Sequence, residues 1–222
     1  MRATPVKGLD ISYAPGGDFT QFFAENPGLY AQFGLKGHNG VDIVRPWGSP
    51  MYAIEDGKVV SVKNDATGFG KHLRIVSRRR NDEGYYNEWT YGHNAENFVK
   101  VGDKVKAGDE IALMGNTGFT VSNSNGNGYW KVNPYRGTHL HLGLRQVIKP
   151  KLGGWSYKGS DVRIEVEDYG NGYKGCIDPT PVLREILEEQ ANVPEANKKM
   201  FKQLLTIKGV INNIALLLNK RK

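Results

Sequence analysis

Residues 101–116 read Val-Gly-Asp-Lys-Val-Lys-Ala-Gly-Asp-Glu-Ile-Ala-Leu-Met-Gly-Asn. Two Gly-Asp pairs, at 102–103 and 108–109, bracket a two-sided Lys-Val-Lys run and lead into the apolar Ile111–Met114. Turn residues spaced this closely leave room for short strands and none for a helix. An earlier tract has the same design. Gly48-Ser49-Pro50-Met51-Tyr52-Ala53 leads to Asp56-Gly57-Lys58-Val59-Val60, so the pair reads as a duplicated hairpin unit.

Working outward, β-type runs separated by Gly, Asn and Asp continue from about residue 10 to 148. Examples are Lys58–Val62, His72–Val76, Trp89–Tyr91 and His139–Leu142. The 28 glycines of the 222 residues agree with many turns, and no long 3.6-residue period interrupts the pattern. The expected fold is mainly β, an antiparallel sheet or sandwich. The period changes only after Asp178-Pro179-Thr180-Pro181, where Val182, Leu183, Ile186 and Leu187 predict a short helix. A second helix is expected after Pro194, with Phe201, Leu204, Leu205, Ile211, Ile214, Leu217 and Leu218 as its apolar stripe. The domains expected are 1–180 and a basic amphipathic helical tail, 181–222.

Composition excludes several classes. Hydrophobic residues make up 39% of the chain, enough for a core, so disorder is not the main state. The run Ile214–Leu218 is far shorter than the roughly 20 residues of a spanning helix, so the chain is not expected to span a membrane. A single cysteine, Cys176, excludes an intrachain disulfide and a cysteine metal cage. The formal charge is +7, yet residues 192–222 carry seven basic side chains against one acid, Glu195. The rest is close to neutral, which argues against a nucleic-acid binder. No apolar stretch of a secretory signal opens the sequence, so synthesis in the cytoplasm is expected.

The 101–116 tract is similar to the hybrid motif of biotinyl and lipoyl carrier domains. A carrier needs a lysine at the hairpin tip, where this chain has Ala112-Leu113-Met114-Gly115, so the motif is read as scaffold. The chemistry then rests on histidine. Of five, His38 lies four residues before Asp42, His139 and His141 form a His-Leu-His, and His93 follows Tyr91-Gly92. His72 stands alone and reads as structural.

A catalytic zinc needs about three His or carboxylate ligands and an open position. Two glycines argue against a helix over residues 37–43, and four residues of straight strand would span roughly 13 Å. The chain must therefore bend at Asn39-Gly40, a strong turn pair, for both groups to reach one ion. His139 and His141, two apart in a strand, share one face. One can bind the ion while the other stands beside its water. Against this stand ordinary roles, a strand histidine in the core and Asp42 as a turn acid.

Taken as a set, Gly37-His38-Asn39-Gly40-Val41-Asp42-Ile43, Tyr91-Gly92-His93, Gly115-Asn116-Thr117-Gly118 and Gly137-Thr138-His139-Leu140-His141 resemble the lysostaphin-type (LytM-like) zinc endopeptidases that cut peptidoglycan. The likeness covers about residues 30–145, and Ile177-Asp178-Pro179 is similar to that family's closing segment. It implies zinc held by His38, Asp42 and His141, with His93 and His139 flanking the bound water. It also implies an antiparallel β-domain with a groove over the metal. Gly92 stands where the family often has Ala, and Thr138 where Pro or Gly is commoner. Residues 120–137 form a long insertion before the His-x-His, either a functional loop or a loose one. Tyr91 is a further candidate donor or a core tyrosine. Asn116, Thr138, Tyr129 and Trp130 are candidate substrate contacts.

The expected function is therefore zinc-dependent hydrolysis of peptide bonds in bacterial peptidoglycan. The alternative from another class is a non-catalytic wall-binding or structural protein of the same fold. A phosphotransfer protein would leave Asp42 unexplained. Small size, an intact set of five site residues and the basic tail suggest a phage-type lysin, acting at the wall after release or within a virion. The tail is a candidate for contact with anionic envelope polymers, or for packing or self-association through its apolar stripe.

Overall fold

In the computed structural model, which describes residues 2–120, 135–148, 157–158, 161–162 and 165–192, the chain is built on short strands. The first four are Phe19–Gln21 (β1), Val41–Ile43 (β2), Pro50–Tyr52 (β3) and Gly57–Asn64 (β4). Lys71–Arg80 (β5), Tyr86–Gly92 (β6), Asn94–Asn97 (β7), Lys104–Val105 (β8) and Glu110–Met114 (β9) follow. Leu140–Ile148 (β10), Tyr157–Lys158 (β11), Asp161–Val162 (β12), Glu165–Val166 (β13) and Cys176–Ile177 (β14) complete them. Helical structure among the described residues is Pro27–Tyr30 (α1), a following single turn at Ala31–Phe33, and Thr180–Ala191 (α2).

The duplicated tracts pair with each other. Antiparallel β3 and β9 match Pro50 with Leu113 and Met51 with Ala112, and antiparallel β4 and β8 match Gly57 with Val105. The connecting turns join in: Ala53 N–H donates to Asp109 O and Gly108 N–H to Ala53 O. Each Lys-x-Gly-Asp turn is closed twice. The Asp N–H donates to the Lys carbonyl, and the Asp103 and Asp109 carboxylates accept the N–H of Lys100 and Lys106 at 2.9 and 2.8 Å. Gly102 and Gly108 hold φ of 99° and 86°, the left-handed position such turns reserve for glycine. The carrier-tip position, residues 112–115, is thus no tip at all: Ala112 and Met114 are buried in a sheet of order β3-β9-β7.

The larger sheet runs β1-β2-β10-β6-β5-β4-β8, with β13 and β14 added to β10. Its register sorts the two faces. Leu73, Tyr91, Leu142 and Val41 align across β5, β6, β10 and β2, and all are closed to solvent. Ile75, Trp89 and Leu144 align beside them. This apolar face is the core. The next residues along face the other way, and there Asp42, His141 and Gly92 form one row. Alternation of strand side chains therefore puts the polar site and the core on opposite faces.

The helix expected after Pro181 is present as α2. Asp178 Oδ1 accepts the Thr180 N–H at 2.9 Å, Pro181 sits in the first turn, and Leu183 and Ile186 are buried. Two compact units, Met1–Arg184 and Glu185–Lys222, divide the chain. The expected helix after Pro194, its stripe and the basic tail lie outside the described residues, as do Tyr129 and Trp130. Among the described residues no helix is long and apolar enough to cross a membrane.

Tyr91 is a correction to the sequence reading. It is fully buried, and its hydroxyl accepts the Ile54 N–H at 3.0 Å and donates to Tyr52 O at 3.2 Å. Burial pushes its phenol pKa well up. The ring belongs to the core and the hydroxyl staples β6 to the chain leaving β3, so it is no substrate donor. Tyr91→Phe orphans the Ile54 N–H and should destabilise the fold by about 1–3 kcal/mol in urea unfolding. An unchanged midpoint would contradict that staple.

Candidate metal centre

Strand register delivers two of the side chains. Asp42 on β2 and His141 on β10 are directly paired, and His141 Nδ1 lies 3.2 Å from Asp42 Oδ1. His38 arrives by the bend at Asn39-Gly40. Its Nε2 is 2.9 Å from His141 Nδ1 and 3.1 Å from Asp42 Oδ1. Among the described residues these three form a group of donors close enough to share one cation, and all three are buried. Gly40 is required by close approach: a Cβ there would lie 2.8 Å from the His141 ring and 2.6 Å from Leu142 O.

The donor atoms fit a metal chemically. His38 Nδ1 is 3.1 Å from Phe22 O, where it donates as N–H, which leaves Nε2 with a bare lone pair facing inward. Facing it are a carboxylate oxygen and the Nδ1 of a second imidazole. Lone pairs converging within 3.2 Å repel one another unless a proton or a cation lies among them. Two imidazoles and a carboxylate suit a borderline divalent ion, and the Phe22 carbonyl orients His38 as outer partners of metal ligands do.

Two further imidazoles stand beside this centre. His139 donates through Nδ1 to Gly137 O at 2.8 Å, and its Nε2 is 3.6 Å from Asp42 Oδ1. His93 is bonded through Nδ1 to Thr117 O at 2.7 Å, with its ring centroid 4.6 Å from that of His139. His93 also carries the backbone from β6 in the large sheet to β7 in the small one. It does so at φ 65°, a left-handed conformation unusual for a non-glycine residue, held by His93 N–H donating to Phe69 O. Thr117 supports it from below, its hydroxyl donating to Asn94 O and accepting the Lys71 N–H.

Electrostatics follow burial. Desolvation alone would raise the Asp42 carboxyl, but His38, His139 and His141 around it hold it well below the usual range. Burial pushes His93 well down and His141 to about 4. His72, the structural histidine of the sequence reading, is buried with Nδ1 on Gly70 O and pairs loosely with Asp65.

A cleft of about 1250 Å³ opens beside Asp42 and His139, walled by Asp18, Thr20, Gln21, Trp47, Tyr135 and Thr138. Thr138 therefore lies on this wall, its hydroxyl donating to Tyr135 O. Asn116 is nearly closed to solvent and donates to Arg136 O at 2.8 Å, so it braces the chain entering His139. Trp47 and Tyr135 were missed by sequence reasoning. Trp47 sits five residues past Asp42 among turn residues, and only its size against an otherwise polar turn, Arg45-Pro46-Trp47-Gly48-Ser49, signals a role. The aromatic wall on the far side, Tyr30 against His38 and Phe69 against His141 at 5.2 and 4.8 Å, was missed as well.

Residues 36–153, just over half of the chain, match the family model described as Peptidase family M23. The uncharacterized lipoprotein YgeR of Escherichia coli K12 is 42% identical over 81 residues, 36% of this chain and 30% of the relative. The glycyl-glycine endopeptidase ALE-1 of Staphylococcus capitis is 37% identical over 91 residues, 40% and 24% of the two chains. The murein hydrolase activator NlpD of Salmonella dublin is 38% identical over 82 residues, 37% and 20%. The chain thus spans less than a third of the length of these curated relatives.

Two outcomes are expected. Gly40→Ala should lower metal affinity at least about tenfold while the β circular-dichroism signal is retained. Equal affinity would show that His141 does not need the space. In metal-free protein His93 and His141 titrate lower folded than unfolded. Their contribution is complete above the unfolded value near 6.5 and is lost as pH falls below it, for His141 toward about 4 and for His93 toward its lowered folded value. Urea midpoints of metal-free protein should fall over that window, and a flat profile would contradict burial as neutral rings.

Proposed function

The chain belongs to Peptidase family M23, and on that premise we propose that it is a zinc-dependent endopeptidase of bacterial peptidoglycan. The observation that carries this reading is the convergence of His38, Asp42 and His141, with two more imidazoles beside them and a cleft leading in. Zinc on those three donors would supply Lewis-acid activation of water and of the scissile carbonyl.

The chain's own groups do the rest. His139, on the cleft wall, takes the proton of the attacking water at Nε2 and returns it to the leaving amine. Its Nδ1–H, given to Gly137 O, fixes the ring so that Nε2 faces the reacting atoms. His93 stands beside it and, carrying a second proton, can steady the developing oxyanion. Both rings give Nδ1–H to a backbone carbonyl, so whichever is the neutral base, the other must be doubly protonated to donate from Nε2, and the two roles can be exchanged.

A non-catalytic wall-binding role is the second functional reading, favoured by the relative named a murein hydrolase activator. The presence of all five site residues supports catalysis over it. The place of action proposed is the cell wall, reached after release of a phage-type lysin or as part of a virion. Residues 192–222 are proposed to hold anionic envelope polymers through their seven basic side chains.

Purified walls digested with and without chelator, with mass spectrometry of the fragments, test the function. New amino termini that vanish with chelator and return with zinc are expected; zinc-loaded protein releasing none would leave the wall-binding reading. His38→Ala should lose zinc and turnover together. His139→Ala and His93→Ala should keep zinc and lose about a hundredfold or more in kcat. The base is the one whose removal also abolishes the acidic limb of the kcat profile.

A further inference from the structure

Trp47 and Tyr135 are large aromatics left in solvent beside the centre. Trp47 is 46% exposed and Tyr135 71% exposed, and both line the cleft that contains Asp42 and His139. They come from two separate segments. Trp47 lies in the connection from β2 to β3, and Tyr135 in the chain leading to His139. Their rings nevertheless meet edge to face, with centroids 5.8 Å apart at 86°. Such a contact fixes each ring while leaving flat aromatic surface open to the cleft. Exposed apolar area of this kind, rimmed by polar groups, marks a binding site.

We propose that Trp47 and Tyr135 form a specificity-determining seat for a saccharide unit of the substrate's glycan strand, a proposal that rests on the peptidoglycan reading above. The surroundings favour a sugar over an apolar side chain. The cleft wall is mixed: beside the apolar Ala14, Pro15, Val44 and Pro46 it carries Asp10, the Arg45–Asp18 ion pair, and the hydroxyls of Thr20 and Thr138. A pyranose has a C–H face that stacks on an aromatic ring and a hydroxyl rim that such polar groups satisfy. An apolar side chain would leave that rim unpaired.

Direct binding tests this apart from catalysis. Soluble β-1,4-linked N-acetylglucosamine oligomers are titrated into the zinc-loaded protein while the heat of binding is followed by calorimetry. A saturable change is expected in the wild type and in His139→Ala. Trp47→Ala should abolish it, and Tyr135→Ala should weaken affinity about tenfold. On intact walls, Trp47→Ala and Tyr135→Ala should lose kcat/KM chiefly through KM, with Trp47→Phe recovering part of the loss. No saturable signal in the wild type, or equal affinity in both alanine variants, overturns the proposal. Saturation by a sugar-free stem peptide and none by the oligomers also overturns it, and assigns the seat to peptide. If the protein binds the oligomers but cuts no wall, the seat stands and the endopeptidase reading fails.

Discussion

The pairing of Asp42 with His141 across β2 and β10 is the constraint on which the site depends. In an antiparallel ladder the side-chain period is two, so a slip of one residue would turn Asp42 to the apolar face and one of its neighbours to the site. The core prevents that slip. Val41 and Leu142 in the adjacent row are fully buried, beside Leu73 and Tyr91, and cannot be exchanged for charged or imidazole groups without unpaired burial. Folding energy thus holds the donor set in place, and a metal need only find it.

The third donor and the two flanking imidazoles are held by different means. His38 comes from a bend whose glycine admits the His141 ring, and it is oriented by a carbonyl near β1. His93 occupies the left-handed turn between sheets, and His139 lies one residue before β10 begins. Each of the three gives Nδ1 to a backbone carbonyl, at Phe22, Gly137 or Thr117. A common tautomer with Nε2 directed inward follows from that arrangement, and backbone acceptors keep it insensitive to side-chain rotamers.

Much of this was legible in the sequence, for identifiable reasons. Gly-Asp turns at fixed spacing predict short strands, because turn chemistry is local, whereas the pairing of the two duplicated tracts with each other came only from the structure. The bend at Asn39-Gly40 followed from a distance argument about His38 and Asp42 alone. Partner and face were harder. The sequence left Tyr91 open as a donor or a core tyrosine, and only the switch of sheets at His93, two residues on, sends the two side chains to different places. Trp47 and Tyr135 were invisible because their meeting is a tertiary contact across 88 residues with no periodic signal. Asn116 was read as a substrate contact, whereas its amide is engaged with Arg136 O, a long-range partner no spacing announces.

The most direct measurement of the central claim is anomalous diffraction at the zinc edge on crystals of the metal-loaded protein. One zinc per chain bound by His38 Nε2, Asp42 Oδ1 and His141 Nδ1, with a position open toward the cleft, is the expected result. Zinc seated elsewhere, or closed in by a fourth protein ligand that substrate does not displace, would contradict it.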